Sequence, residues 1–362
     1  MYYREGPVRF SEIMPLTKRL KHIFSNPALI MGLSLGCLCL VIAVLLLSNF
    51  PQRSSESRTI EGLASPRGLS PLGDGSLLIA EGGAGRILLV DRRGNVTVLQ
   101  DNLPHTQHGP EGVHVGVSAA IKLETSIYFI VGEARAKGFR EVYEVVPGSI
   151  PIPLTGQDPL GVNPPNPLTN PYDLLPAATG GLLISDSGAN AVWHVSPTGK
   201  ISLYAEIEPI SVISDEGQTQ IQAVPTGLAF GPDGAVYVAT LTGFPFPVGG
   251  SSVIKLQDNN NDGDALDDGE SIVYADGFTA ATDVAFESSG SMLVTEYSQN
   301  MQGLAEIGFE ESGRYGGRLV RWHDGNLTVI ASGLVSPTAV AVMSGRIYVS
   351  EEFAGRVRII KQ

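Results

Sequence analysis

One short phrase recurs along the chain, and this recurrence constrains the fold more than any local pattern does. The phrase VPTGLAFGPDGAVYVAT begins at Val224, and versions of it begin at Ser65, Asn170, Thr282 and Ser336. Each version predicts a short apolar strand, a glycine turn and a second apolar strand, usually followed by an acidic residue. The repeat anchors lie 44 to 61 residues apart, at Pro66, Pro110, Pro171, Pro225, Ala281 and Pro337.

This spacing suits four-stranded propeller blades with loop insertions and is too long for helical repeats. Six anchors therefore predict an all-β fold, a six-bladed β-propeller over residues 58–362. The last repeat has only three strands before Gln362, but RTIEGLASP at residues 58–66 aligns with VIASGLVSP at residues 329–337. A strand near 58–62 is thus expected to complete the final blade and close the ring, which removes unpaired sheet edges.

The N-terminal region predicts a membrane anchor. Residues 28–47 contain no charge and would span about 30 Å as a helix, the thickness of the hydrocarbon core. Five Lys or Arg residues precede this run, so the positive-inside rule leaves residues 1–27 in the cytoplasm. We expect a single-pass transmembrane signal-anchor helix at 28–47, a linker at 48–57, and a propeller outside the bacterial cytoplasmic membrane, in the periplasm or at the cell exterior.

A cleaved signal peptide is the alternative, but its apolar region would be shorter and would end in small residues, whereas LLLSNFP follows here. The two cysteines, Cys37 and Cys39, lie inside the apolar run, so no disulfide is expected in the propeller. The net charge is −13. Because residues 1–52 carry five basic and two acidic side chains, the remainder is more acidic still. This sign argues against nucleic acid as a partner.

An acidic loop at residues 258–270 (DNNNDGDALDDGE) predicts a calcium site. Oxygen-bearing side chains at alternating positions, followed by glycine, let a short loop surround a hard cation. The candidate ligands are Asp258, Asn260, Asp262, Asp264, Asp268 and Glu270, with Asp267 as a further choice. An EF-hand would place Glu where Gly269 stands, and strands are expected on both sides. The prediction is therefore a structural calcium-binding hairpin loop, with a solvated acidic turn as the alternative.

A second set of acids occupies equivalent positions in the repeats. The second strands tend to end in an acid, and the first strands begin near Arg67, Glu111, Asp173, Thr226, Asp283 and Thr338. In a propeller these ends meet at one mouth of the central channel. Convergence there would bind a metal or raise a carboxyl pKa for acid–base chemistry. The candidates are Glu111, Asp173, Asp186, Asp283 and Glu296. Alternatively, these acids cap strand ends and bond neighbouring blades.

Three histidines and one glutamate lie close together at His105, His108, Glu111 and His114. They could bind a transition metal, but their spacing matches no standard site. A polar loop before blade 2 is the preferred interpretation.

Several longer segments resemble the ScyD/ScyE family of bacterial six-bladed propellers. The resemblance rests on VPTGLAFGPDGAVYVATLTGFPFPVGGSSVIKL, YADGFTAATDVAF and GGRLVRW and covers roughly residues 60–362. The TGFPFP phrase at residues 242–247 is its most specific element. The resemblance implies an extracytoplasmic NHL-like propeller and supplies no catalytic residues. The N-terminal anchor and the acidic loop depart from the family, and the loop resembles calcium loops of membrane-bound sugar dehydrogenase-like propellers.

Two functions of different classes follow from these observations. The first is a membrane-tethered binding or scaffold module, an accessory subunit of a membrane complex with lipid and a membrane protein as its partners. The second is an enzyme, either a metal-dependent lactonase or hydrolase of the SMP-30 and gluconolactonase type or a quinone-dependent sugar dehydrogenase. Ion binding by the channel carboxylates would favour the hydrolase.

Overall fold

The computed structural model describes residues 59–108, 113–156, 166–214 and 217–361. The predicted cytoplasmic segment, transmembrane helix and linker at 1–27, 28–47 and 48–57 lie outside the described residues. Within the described ranges, no helix is long and apolar enough to cross a bilayer.

Within these residues, twenty-four strands form six antiparallel four-stranded sheets, arranged as the blades of a propeller. In five blades the strands follow the chain from the inner to the outer edge. These are β2 (Pro66–Pro71), β3 (Leu77–Glu81), β4 (Arg86–Val90) and β5 (Val96–Gln100) in blade 1; β8 (Val117–Leu123), β9 (Ser126–Val131), β10 (Glu141–Val145) and β11 (Ile152–Pro153) in blade 2; β12 (Pro171–Pro176), β13 (Leu182–Asp186), β14 (Ala191–Val195) and β15 (Ile201–Glu206) in blade 3; β18 (Pro225–Phe230), β19 (Val236–Thr240), β20 (Ser251–Leu256) and β21 (Ser271–Phe278) in blade 4; and β22 (Ala281–Phe286), β23 (Met292–Glu296), β24 (Gly317–His323) and β25 (Asn326–Leu334) in blade 5.

Blade 6 joins the two ends of the described chain. It contains β26 (Pro337–Met343), β27 (Arg346–Glu351) and β28 (Arg356–Lys361), and its outer strand is β1 (Thr59–Glu61). The strand that the sequence analysis placed near 58–62 is thus β1, which pairs antiparallel with β28. Ile60 packs into a buried cluster shared by blades 6 and 1, so ring closure also contributes to the core.

Each innermost strand starts with a β-bulge. The strand register shifts at this point in all six blades. A bulge bends the strand and re-aims a side chain, and it does so at equivalent positions: Arg67, Ser118, Tyr172, Thr226, Thr282 and Thr338. The six bulges place one ring of side chains at the same end of the channel, which we call the mouth.

Four insertions gather at this mouth because they lie in connections that lead into an inner strand or leave a second strand. Two are hairpins, β6 (Thr106–His108) with β7 (Val113–Val115) and β16 (Ile210–Ser214) with β17 (Gly217–Ile221). The third comprises α1 (Met301–Ile307) and a following 3-10 helix (Phe309–Tyr315). The fourth is the TGFPFP loop. Asn300 caps α1 by accepting a hydrogen bond from the Gly303 N–H.

The predicted start of blade 2 was wrong. Its inner strand was expected to begin near Pro110 and Glu111, whereas the inner strand is β8 and its repeat position is taken by Ser118. The preceding segment forms the β6–β7 hairpin instead. Residues 117–131 make the better hairpin because a tight turn joins two long apolar runs, and Phe129 and Ile130 become fully buried. Glu111 itself lies outside the described residues.

Candidate binding site at the channel mouth

The acids that end the second strands are structural clamps. Glu81, Asp186, Glu296 and Glu351 are fully buried, and each accepts a backbone N–H from the segment that enters its own blade. The donor–acceptor distances are 2.8 Å from Ala64 to Glu81, 2.7 Å from Thr169 to Asp186, 2.9 Å from Thr279 to Glu296 and 2.8 Å from Val335 to Glu351. Buried carboxylates bonded in this way hold the blade connections in place.

Three of these clamps also hold arginine. Arg86 pairs with Glu81, and Arg318 pairs with Glu296. Arg356 and Arg358 both bind Glu351, with Nε–Oε2 distances of 2.7 and 2.9 Å. Burial opposes ionisation of Glu351, but hydrogen bonds from Arg356, the Val335 N–H and Arg358 outweigh it and lower its pKa.

Asp173 and Asp283 lie elsewhere, in the channel wall. They occupy the same position of the inner strands in blades 3 and 5, directly after the bulge residue. Each carboxylate bonds the backbone of the next blade: Asp173 Oδ2 accepts from the Leu228 N–H at 2.8 Å, and Asp283 Oδ2 accepts from the Val340 N–H at 2.7 Å. The other four blades carry small residues here, namely Gly68, Ala119, Gly227 and Ala339.

The channel environment shifts both carboxyl groups towards protonation. Burial raises the pKa of Asp173 to about 6. Burial, followed by the nearby Asp173 charge, raises the pKa of Asp283 well above its ordinary value. Asp283 also explains the glycine of the PTGLAF phrase, because a Cβ on Gly227 would lie 2.0 Å from Asp283 Oδ1.

The bulge residues add a ring of hydroxyl bonds between successive blades. Each hydroxyl donates to the carbonyl oxygen at the start of the next inner strand. The pairs are Ser118 with Pro171 at 3.2 Å, Thr226 with Ala281 at 3.0 Å, Thr282 with Pro337 at 2.8 Å and Thr338 with Pro66 at 3.3 Å. The polar groups of four bulges are therefore engaged within the ring.

Arg67 and Tyr172 are the two large bulge residues. The Arg67 guanidinium lies over the Tyr172 ring, 5.5 Å from its centroid, and Arg67 Nη1 is 3.3 Å from Glu352 Oε1. The Tyr172 hydroxyl donates to the Thr338 carbonyl at 3.2 Å. Burial raises the pKa of Tyr172. Burial also raises that of Glu352, against the opposing effect of Arg67 and His114.

Arg67, Ser118 and Tyr172 separate two cavities, and we call these three residues the collar. Below it the channel has a volume of about 260 Å³ and is lined by Asp173, Asp283, the hydroxyl residues Ser70 and Thr338, and apolar side chains. Above it the mouth cavity has about 640 Å³. The sequence predicted Arg67 at a strand start but not as a site residue, and Tyr172 was not among the predicted site residues. No sequence signal marked these two side chains as channel-facing, because their direction depends on the bulges that only the structure shows.

The acids predicted to meet in the channel therefore fall into two groups with different positions. The structure brings Asp173 and Asp283 into the channel wall, whereas Asp186 and Glu296 bond the blade connections and do not line either cavity. In the histidine group, His105 Nδ1 faces the Leu103 carbonyl at 3.0 Å, and His114 belongs to β7. The side chain of His108 and all of Glu111 lie outside the described parts of the chain.

The predicted calcium loop joins β20 to β21, so strands flank it as expected. Asp258 organises the loop by accepting N–H bonds from Asn261 and Gly263, at 2.6 and 2.9 Å. The Asn260 amide donates to Asp262 and Asp267. Desolvation and then the charges of Asp262, Glu270 and other neighbouring acids raise the pKa of Asp267. Across the described ranges, no group of three or more His, Cys, Asp or Glu side chains has metal-binding geometry, so calcium stays a prediction.

Comparisons with known proteins define the class of fold. No family model and no curated protein matches the chain. Solved structures do match. A gluconolactonase from Xanthomonas campestris has a TM-score of 0.55 and 14% identity, over 85% of this chain and 90% of that chain. The PQQ-bound aldose sugar dehydrogenase from Streptomyces coelicolor has a TM-score of 0.53 and 15% identity, over 84% and 96%.

Virginiamycin B lyase from Staphylococcus aureus has a TM-score of 0.51 and 13% identity, over 85% of this chain and all of that chain (100%). Identities this low show the fold alone. The chain is thus a six-bladed β-propeller whose structural neighbours are of the gluconolactonase and virginiamycin B lyase type.

Proposed function

We propose that this chain is a binding propeller of the ScyD/ScyE kind, tethered outside the cytoplasmic membrane as an accessory module of a membrane complex. One observation carries the proposal. The acids and hydroxyls at the starts of the inner strands, where propeller chemistry is expected, bond neighbouring blades, while a cavity of about 640 Å³ lies open above them. A cavity of this size suits a small-molecule ligand.

The TGFPFP loop, on which the family resemblance rests most specifically, supports a ligand-binding role for the mouth cavity. Leu241 lines the mouth cavity. Leu241, directly before the loop, and Phe246 within it pack against Met301 and Leu304 of α1. The most specific phrase of the sequence thus packs beside the mouth, directly after a residue that lines it. The apolar run at 28–47 supports the tether.

The test is affinity purification of the full chain from detergent-solubilised membranes, with a lactone-hydrolysis assay on the same preparation. We expect a membrane protein to copurify in a fixed ratio and no hydrolysis above background. Lactone turnover that requires added metal and disappears in Asp173→Asn would contradict the proposal.

A hydrolase is the second candidate because a carboxyl pKa of about 6 suits general acid–base work near neutral pH. In that case Asp173 would exchange a proton with a substrate in the channel. The turnover assay above separates the two functions directly.

A further inference from the structure

The mouth cavity has a polar floor and walls that combine apolar side chains with Asn170, Ser187 and Thr226. Its floor is the collar, and its sides include Val113, Val115, Val224 and Leu241. Two charged side chains, Glu133 and Arg135, stand exposed at its rim. A ligand that fits this surface has one polar end and a mainly apolar body.

Arg67 is the feature of the floor that has unused binding capacity. A guanidinium offers five N–H donors in a planar fork, yet Arg67 Nε has no hydrogen-bond partner among the described residues. Its contact with Glu352 is a single long pair at 3.3 Å through Nη1, not a bidentate one. An unbonded buried donor is costly. Nε itself is buried, but the Arg67 side chain as a whole is 20% exposed and lines the mouth cavity. An acceptor supplied from the mouth therefore approaches the exposed part of the guanidinium.

The position of Arg67 is fixed before any ligand arrives. The bulge at the start of β2 aims its side chain into the floor, and the Tyr172 ring supports the guanidinium face. The four hydroxyl bonds between blades hold the surrounding ring. Preorganisation of this kind lowers the entropic cost of binding.

We infer that the mouth binds a small monocarboxylate with an apolar body and that Arg67 is the residue that holds the carboxylate. Guanidinium and carboxylate match in planar geometry, and charge-assisted hydrogen bonds are the strongest available here. The apolar body packs on the valine and leucine walls. This inference rests on the proposed binding function, because it names the class of ligand for the same site.

The experiment uses the full chain in lipid nanodiscs and isothermal titration with three probes of one shape: 4-phenylbutyrate, its primary amide and 4-phenylbutylamine. The carboxylate should bind at least about 10-fold more tightly than the amide, and the amine should bind most weakly. Equal binding of carboxylate and amide, preference for the amine, or no binding of the carboxylate would each overturn the inference.

Variants test whether Arg67 is the residue that holds the carboxylate. Arg67→Met should weaken phenylbutyrate binding at least about 10-fold, and Arg67→Lys should fall between it and the wild type because ammonium cannot bind bidentately. Arg318→Met is the matched control, since it also removes an arginine from a buried glutamate but lies outside both cavities. It should bind as the wild type does.

Two further outcomes are decisive. A larger loss of phenylbutyrate affinity in Arg135→Gln than in Arg67→Met would assign the carboxylate to Arg135 at the rim and overturn the role of Arg67. Should Arg67→Met fail to fold, the probe series on the wild type and the Arg67→Lys comparison still decide. Lactone hydrolysis by a chain that also prefers the carboxylate would refute the binding-only function and leave the Arg67 site standing.

Discussion

Two groups of buried acids lie close to the same mouth and behave in opposite ways. The clamp acids sit at the ends of second strands and accept hydrogen bonds from backbone N–H groups. One of them, Glu351, also binds two arginines, and these bonds lower its pKa. The channel acids, Asp173 and Asp283, bond only backbone N–H groups in the contacts described above and are pushed towards protonation. The chemistry of a repeat position is therefore set by its partners, and the residue type alone does not decide it.

The two groups should also respond to pH with opposite signs. Glu351 has a lowered pKa, so its contribution to stability is present above its unfolded pKa and is lost as pH falls through the folded value. Asp173 has a raised pKa, so the folded state binds more protons than the unfolded state. Its contribution therefore falls as pH rises between about 4 and 6.

Removing a clamp acid should have the largest effect. Glu351→Ala leaves Arg356, Arg358 and the Val335 N–H without their shared acceptor, and breaking a buried pair costs about 3–5 kcal/mol of unfolding free energy. Urea denaturation at neutral pH measures this. The exposed Glu61 is the control, and Glu61→Ala should stay within about 0.5 kcal/mol. A loss below about 1 kcal/mol in Glu351→Ala would contradict the clamp.

The predicted calcium loop would compensate its acids in a third way. Glu351 is paired with arginine and the channel acids are shifted towards protonation, whereas the loop acids would bind a cation. If the loop binds calcium, chelation should lower the melting temperature, and Asp262→Ala should abolish the response. Binding to the folded state at a hundredfold excess over Kd stabilises by about 2.7 kcal/mol. A chelator effect that follows Asp173 or Asp283 instead would move the ion to the channel. No chelator effect at all would remove the calcium prediction.

The channel acids should show a smaller, pH-dependent effect. Asp173→Asn should lose one backbone hydrogen bond at every pH, because an amide has one acceptor oxygen where the carboxylate uses two. The difference in unfolding free energy between wild type and variant should shrink by about 2 kcal/mol as pH rises from about 4 through 6. Urea midpoints across this range test it, and a difference that grows with pH would be contrary to the assignment.

The smallest effect on the free energy of unfolding is expected for Thr282, which precedes Asp283 and whose hydroxyl bonds the next blade. Thr282→Val removes its bond to the Pro337 carbonyl and should cost about 1 kcal/mol. Since no charge is involved, the cost should not vary between pH 4 and 8. Thr328→Val, on the exposed face of β25, is the matched control. A marked pH dependence for Thr282→Val would mean that the hydroxyl acts through the Asp283 carboxyl.

The propeller could be predicted from the sequence because each repeat corresponds to one blade, so the number of repeats gives the number of blades. Strand pairs, glycine turns and the shared RTIEGLASP phrase set the blades and the closing strand. Blade 2 was misplaced because it lacks the proline that starts β2, β12 and β18, and His-Gly-Pro-Glu at residues 108–111 imitates that start. Only burial of the β8–β9 hairpin resolves the choice, and burial depends on neighbouring blades.

The site was harder to predict than the fold. Asp173 and Asp283 could be placed in the channel because they directly follow the start of an inner strand. Asp186 and Glu296 could not be separated from them, since the direction of a strand-end side chain depends on which backbone N–H groups approach it. Arg67 became visible only when the bulge and Tyr172 fixed its direction.

Infrared pH titration of the carboxyl groups tests the comparison most directly. The full chain should show a protonated carboxylic-acid carbonyl band near neutral pH that titrates from about 6 upwards. The band should lose intensity in Asp173→Asn and in Asp283→Asn, and it should remain in Glu351→Gln. Absence of the band near pH 6, or its persistence when both aspartates are replaced, would contradict the distinction between channel acids and clamp acids.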